Sequence, residues 1–265
     1  MSGRLREIAR QTVAIAERGD YVNTRGARVD LAASVRAAMA GTRLIAPDEP
    51  VAAGTPAAAV GVEVTHESTL AAARRVGAGA ATLVFASAKN PGGGFLGGAV
   101  AQEESLARAS ALYACQRTAP AFYGFHRQQR DLRYSDHVIY SPQVPCFRDD
   151  KGNLLDEPFA TSFLTAAAPN LGALLRNQPA DAGDVPEILR RRATRVLSVA
   201  AAYGHRTLVL GAWGCGVFRN APADVARAFA VALERVPCFD RVVFAIYDRL
   251  PRTPVHRAFA DAFPG

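Results

Sequence analysis

The residues of this chain best suited to chemistry gather in two glycine-rich segments. One reads NPGGGFLGGAVAQEE over residues 90–104, the other GAWGCGVFRN over residues 211–220. Glycine lets the backbone turn at positive φ and lets main-chain N–H groups approach a ligand with no Cβ in the way. A loop of this kind that opens a helix also gains the partial positive charge of the helix N-terminus, which suits phosphate. Neither segment is a Walker loop, since no GxxxxGK[ST] occurs, and neither places GxGxxG at a first strand-to-helix turn. One such loop alone is most simply a turn; two together point to a slot for a diphosphate. Gln102, Glu103 and Glu104 close the first segment. Acidic residues in a helix's first turn ordinarily complement its dipole. Here the pair lies at the mouth of the expected slot, where carboxylate repulsion raises a carboxyl pKa while the dipole lowers it. A carboxylic acid beside a nucleotide-sugar pocket suits cleavage of a glycosidic bond.

Those segments need elements to hold them. Residues 3–18 carry an amphipathic helical pattern ended by Gly19, and a second helix follows Asp30 and stops at Gly41. Residues 46–57 are a Pro/Gly-rich connector. Beyond it, short apolar runs of strand type fall at 59–65, 82–86, 137–141, 162–166, 207–210 and 241–246. Helical stretches fit at 68–76, 103–116, 186–203, 222–236 and 253–263, and 177–185 reads as a surface loop. Strands alternating with helices predict an α/β layered domain around a mostly parallel sheet. Both glycine-rich segments then lie past strand ends, where open α/β sheets bind ligands. The expected organisation is a helical N-terminal extension, residues 1–55, packed on a single compact domain, residues 56–265.

Hydrophobic residues at 49% and charged residues at 21% exclude the disordered and fibrous classes. The formal charge of +7 suits either solubility or an anionic partner. Cys115, Cys146, Cys215 and Cys238 form no CxxC pair and no metal-ligand spacing with the five histidines, so reduced thiols, a cytoplasmic location and no metal are expected. The charged N-terminus is neither a signal peptide nor a membrane span, and no run of 18 apolar residues occurs. The histidines read as surface or hydrogen-bonded side chains, and Arg190, Arg191 and Arg192 as a solvated helix face.

The run Gly92-Gly93-Gly94, seven residues, then Gln102-Glu103-Glu104 resembles the signature of the poly(ADP-ribose) glycohydrolases. The longer string is similar to their bacterial branch, as are residues 138–149 (VIYSPQVPCFRD), 208–220, 242–248 (VVFAIYD) and the region around Gly19, Asp20 and Tyr21. The resemblance implies a macrodomain-like three-layer α/β/α fold with a mixed central sheet, holding ADP-ribose across the strand ends. It implies hydrolysis of ribose–ribose bonds of poly(ADP-ribose), exo-type, with ADP-ribose as product and no cofactor. Glu104 would be the catalytic acid/base and Glu103 would orient the sugar hydroxyls, with Gln102 beside them. Asn90 would contact the distal ribose, and Gly92, Gly93, Gly94, Gly97 and Gly98 would meet the substrate through main-chain N–H groups. Gly214, Cys215, Gly216 and Val217 would hold the diphosphate. Phe218 would stack on a ring or pack in the core, and Glu67 would meet the adenine amine or simply be exposed. The implied partners are poly(ADP-ribose) or ADP-ribosylated protein, with no membrane, no direct DNA binding and a monomeric chain. The rival readings are a macrodomain that binds ADP-ribose without cutting it, against which the intact glutamate pair argues, and a nucleic-acid binder. For the latter only the charge speaks, since no helix-turn-helix, finger or aromatic RNA-binding signature is present.

Overall fold

The computed structural model describes residues 2–264. In chain order the elements are α1 (Ser2–Arg18), β1 (Asp20–Val22), β2 (Arg28–Asp30), α2 (Ala32–Gly41), β3 (Arg43–Ile45), β4 (Gly61–Thr65), α3 (Thr69–Val76), β5 (Ala81–Phe85), α4 (Gln102–Ala109), α5 (Leu112–Arg117), α6 (Pro120–Gln128), β6 (Val138–Arg148), β7 (Leu154–Ala166), α7 (Leu171–Asn177), α8 (Val185–Ala202), β8 (Thr207–Leu210), α9 (Pro222–Arg235), β9 (Arg241–Ala245) and α10 (Pro254–Ala262). A seven-stranded sheet runs β3-β6-β7-β5-β8-β9-β4. From β7 to β4 the neighbours are parallel, while β6 runs antiparallel to both β3 and β7. The sheet is therefore mixed, as the resemblance implies.

Period-two alternation sorts the strand residues onto two cores. Leu83, Leu164, Leu208, Leu210, Val242 and Phe244 face α8 and α9, where they pack with Leu197 and Phe229. Val84 and Phe163 point the other way, against Leu106 of α4, Leu112 of α5 and Val35 of α2. Val209 and Val243 meet Ala72 of α3. Both faces are covered, which is why the central strands read as continuous apolar runs.

Several elements depart from the sequence expectation. The stretch 103–116 is two helices. Ser110 is extended there and bridges to Cys146, while its hydroxyl bonds the Leu106 carbonyl and accepts from the Leu112 N–H. Strands β6 and β7 are much longer than expected; the pairing shifts register between Ser141 and Val144, and that irregularity accommodates Pro142. The N-terminal segment is not purely helical, since it adds the β1–β2 hairpin and lends β3 to the edge of the main sheet. Arg192 is not solvated: it is fully buried, ion-paired to Asp136 at 2.8 Å and donating to the Ala167 carbonyl.

Candidate active site

The parallel strands β7, β5, β8, β9 and β4 all end on one side of the molecule. Adjacent β5 and β8 pair only at Ala81–Leu208 and Thr82–Val209. Past Thr82 the side of β5 toward β8 needs other partners, and the Gln102 side chain supplies them. Its amide oxygen accepts from the Phe85 N–H at 2.9 Å, and its amide nitrogen donates to the Leu83 carbonyl at 2.7 Å. Gln102 thus pins the start of α4 to the end of β5, and all three of its bonds are to protein groups, the third to Thr69.

That pin presents Glu103 and Glu104 to the first glycine-rich loop. Glu103 is buried. One oxygen accepts from the Ser87 N–H at 2.6 Å and the other from the Gln116 amide at 2.9 Å. Burial pushes its pKa up to about 8; the two bonds pull it down and the neighbouring Glu104 charge adds a smaller upward push. Glu104 is half-buried and its Oε1 accepts from the Gly94 N–H at 3.0 Å. Gly93, with φ +57°, is where a side chain is least tolerable: a Cβ there would stand 3.0 Å from the Glu104 carboxyl carbon, closer still to Oε1, and 3.2 Å from Glu103 Oε2.

The two glycine-rich loops differ in what they leave open. In the first, the N–H groups of Gly92, Gly93, Gly94, Gly97 and Gly98 are all donated within the protein, to Gln116, Asn90, Glu104, Gly94 and Phe95 respectively. Their immediate work is to shape a tight, Cβ-free wall rather than to offer free donors. In the second loop, Cys215 donates to Ala212, but the N–H groups of Gly216, Val217 and Phe218 are donated to no acceptor among the described residues. Gly214 takes φ +74° and sits where a Cβ would collide with Asn220 and Ala168, and Gly216 faces open space. The Cys215 thiol is pushed by burial up to about 12, so it is not poised as a nucleophile.

The remaining expected residues spread along the same edge. Asn90 is exposed on the first loop, with its N–H held by the Ser87 hydroxyl. Phe218 is half-buried, with its ring 5.9 Å from that of Tyr134. Glu67 follows β4 at the far edge and is ion-paired to Arg75 at 2.7 Å. Between Glu67 and the second loop lies Tyr247, 55% exposed after β9. Among the described residues no three His, Cys, Asp or Glu side chains gather as a metal site, and no helix is long and apolar enough to cross a membrane.

Sequence reasoning missed Gln116, Ser87, Tyr134 and Tyr247. Gln116 matters most, because its buried amide ties Gly92 and Glu103 together. It stands 13 residues beyond Glu103, about 220° around a continuous helix. Only the break at Ser110 turns it inward.

A three-layer fold with a mixed sheet and a glycine-walled cleft bearing two adjacent carboxyls is that of a macrodomain-like enzyme, equipped as glycosidases are. Residues 9–149 match the model of the microbial-type PARG catalytic domain. The chain is similar to the crystal structure of poly(ADP-ribose) glycohydrolase from Thermomonospora curvata, with TM-score 0.92, 49% identity, and coverage of 98% of this chain and 100% of that one. The same enzyme bound to the inhibitor ADP-HPD matches at TM-score 0.90 and 48% identity, with 98% and 100% coverage. Poly(ADP-ribose) glycohydrolase from Deinococcus radiodurans in complex with ADP-ribose matches at TM-score 0.80 and 46% identity, covering 86% of this chain and 96% of that one. A search of curated proteins finds no match. The chain belongs to the microbial-type poly(ADP-ribose) glycohydrolases.

Proposed function

We propose that this protein hydrolyses the ribose–ribose bonds of poly(ADP-ribose), with Glu104 as the acid/base. The observation that carries the reading is the first turn of α4, which sets a buried Glu103 and a half-open Glu104 side by side against the Cβ-free wall of Gly92, Gly93 and Gly94. Glu104 protonates the leaving ribose oxygen, then takes a proton from the water that attacks the anomeric carbon. Its bond from the Gly94 N–H fixes one oxygen and aims the other. Glu103, held by Ser87 and Gln116 and kept protonated near neutral pH by its burial, meets sugar hydroxyls with an O–H on one oxygen and a lone pair on the other. Positive charge develops on the distal ribose, and the substrate's own diphosphate lies near enough to stabilise it.

The order of strand ends supports a linear placement of the substrate. The distal ribose lies at β5 with Asn90 and the carboxyl pair. The diphosphate lies on the open N–H groups of Gly216 and Val217 after β8, with Gly214 and Cys215 giving the loop its turn. Phe218 covers a ribose, backed by Tyr134. The adenine lies past β9 and β4 against Tyr247, with Glu67 at the outer rim. Gln102 acts by positioning α4. The reading also carries a monomer acting in the cytoplasm on poly(ADP-ribose) or ADP-ribosylated protein, without binding DNA, and releasing single ADP-ribose units from chain ends. Residues 1–55 serve as an extension packed on the catalytic unit 56–265. Early-time product analysis on long polymer tests the exo assignment: ADP-ribose monomer is expected first, and abundant intermediate oligomers would contradict it.

A further inference from the structure

A second cavity lies away from the strand ends, enclosed by α1, α2 and α5, with a volume of about 490 Å³. That is the size of a small-molecule site. Val13, Ala16, Val35, Met39 and Ala114 give it apolar walls. Arg36 from α2 and Arg117 from α5 stand at it from two sides. Both are exposed, and neither forms an ion pair or a hydrogen bond with any described residue; Arg117 only overlies the Tyr113 ring, at 5.7 Å. Arg18 also lines the cavity but is committed to Asp20, and Glu17 lines it without pairing to either free arginine. Apolar walls with two uncommitted guanidinium groups fit one chemistry: an apolar or aromatic body carrying a single anionic group, which the planar forks of arginine can grip.

The cavity shares a helix with the active site. On its cavity side α5 carries Tyr113, Ala114 and Arg117; Gln116, on the same two turns, binds Gly92 and Glu103. Tyr113 also backs the first loop, its ring 4.8 Å from that of Phe95 and 3.3 Å from where a Gly92 Cβ would stand. We infer that the α1–α2–α5 cavity is a binding site for a small amphipathic organic anion, separate from the ADP-ribose cleft and coupled to it through α5. The coupling rests on the function proposed above; the binding does not.

Anilinonaphthalene sulfonate, an aromatic body with one sulfonate, is the probe. It is titrated into the full chain with saturating ADP-ribose present and followed by fluorescence and calorimetry. One equivalent is expected to bind. Arg36→Ala and Arg117→Ala are each expected to weaken it by about tenfold, the value of one charge-assisted hydrogen bond. Ala114→Phe, which fills the cavity, is expected to abolish it, and Arg36→Ala keeps the parental rate on polymer. Complete displacement by ADP-ribose, or affinity unchanged in Arg36→Ala and Arg117→Ala, would overturn the site. For the coupling, saturating probe is expected to shift the ADP-ribose dissociation constant by about twofold or more, with the reciprocal shift in probe affinity. Identical constants with and without probe would overturn the coupling and leave the site standing. None of these titrations depends on turnover, so their failure is distinct from a failure of the proposed hydrolysis.

Discussion

Gly93→Ala isolates the link between the glycine wall and the carboxyl pair. The substitution adds one carbon where φ is +57°, 3.0 Å from the Glu104 carboxyl carbon and 3.2 Å from Glu103 Oε2. Placing alanine in that left-handed region costs about 1–2 kcal/mol. The neighbours that must yield are the two carboxyls themselves, since Glu103 is held by Ser87 and Gln116 and Glu104 by Gly94. Moving Glu104 Oε1 to ordinary contact requires a shift on the order of 1 Å, and a misplacement of that size costs roughly a hundredfold in rate. The backbone strain alone should lower Tm by about 2–8 °C for a chain of this size. The assay is initial-rate hydrolysis of poly(ADP-ribose) beside a melting curve and calorimetric titration with ADP-ribose. The expected result is kcat down about a hundredfold, with the loss exceeding any change in ADP-ribose affinity. Parental kcat in a folded Gly93→Ala protein would refute the claim that the wall sets the carboxyl geometry.

Three further outcomes are expected. Gly216→Val should weaken ADP-ribose binding by calorimetry with little change in Tm, because a Cβ there meets nothing in the protein; unchanged affinity would remove the diphosphate role of the second loop. Gln116→Leu should lower both Tm and kcat by leaving the Gly92 N–H and a Glu103 oxygen without their partner, about 1–3 kcal/mol for one such buried group; a variant as stable as the parent would contradict it. Glu103, raised to about 8 in the folded protein, favours folding when protonated, so that contribution is full at pH 4 and is lost as pH rises through about 8. The difference in Tm between Glu103→Gln and the parent should therefore grow with pH in favour of the variant over that window, and a flat difference would show that Glu103 is not proton-linked to folding.

Much of this architecture is legible in the residues, and the exceptions have physical causes. β5, β8 and β9 read directly because strands buried on both faces are unbroken apolar runs, and the edge strand β4 reads because Val62 and Val64 alternate with Glu63. β6 and β7 read as fragments because Pro142, Pro145 and Pro158 argue against a strand, although the register shift accommodates Pro142. α6 went unread; Gly124 interrupts a short segment whose aromatic content suits a strand as well as a helix. Arg192 looks solvated beside Arg190 and Arg191 until Asp136, far off in sequence, is folded against it. At the cleft, the glycines and the glutamate pair stand out by spacing. What holds them does not, because it depends on pairings no local pattern encodes. Gln102 completes a strand edge left by the splay of β5 from β8, and Gln116 faces inward only because Ser110 breaks the helix.

Glu104→Gln carries the central claim. The amide keeps the side-chain shape and can still accept the Gly94 N–H bond, but it can neither deliver nor take the proton. Hydrolysis of poly(ADP-ribose) should fall by about four orders of magnitude, since one group serves both steps, while ADP-ribose affinity stays within a few-fold of the parent. Near-parental turnover by Glu104→Gln, in protein of unchanged Tm, would contradict the assignment and require a group other than Glu104 to move the proton.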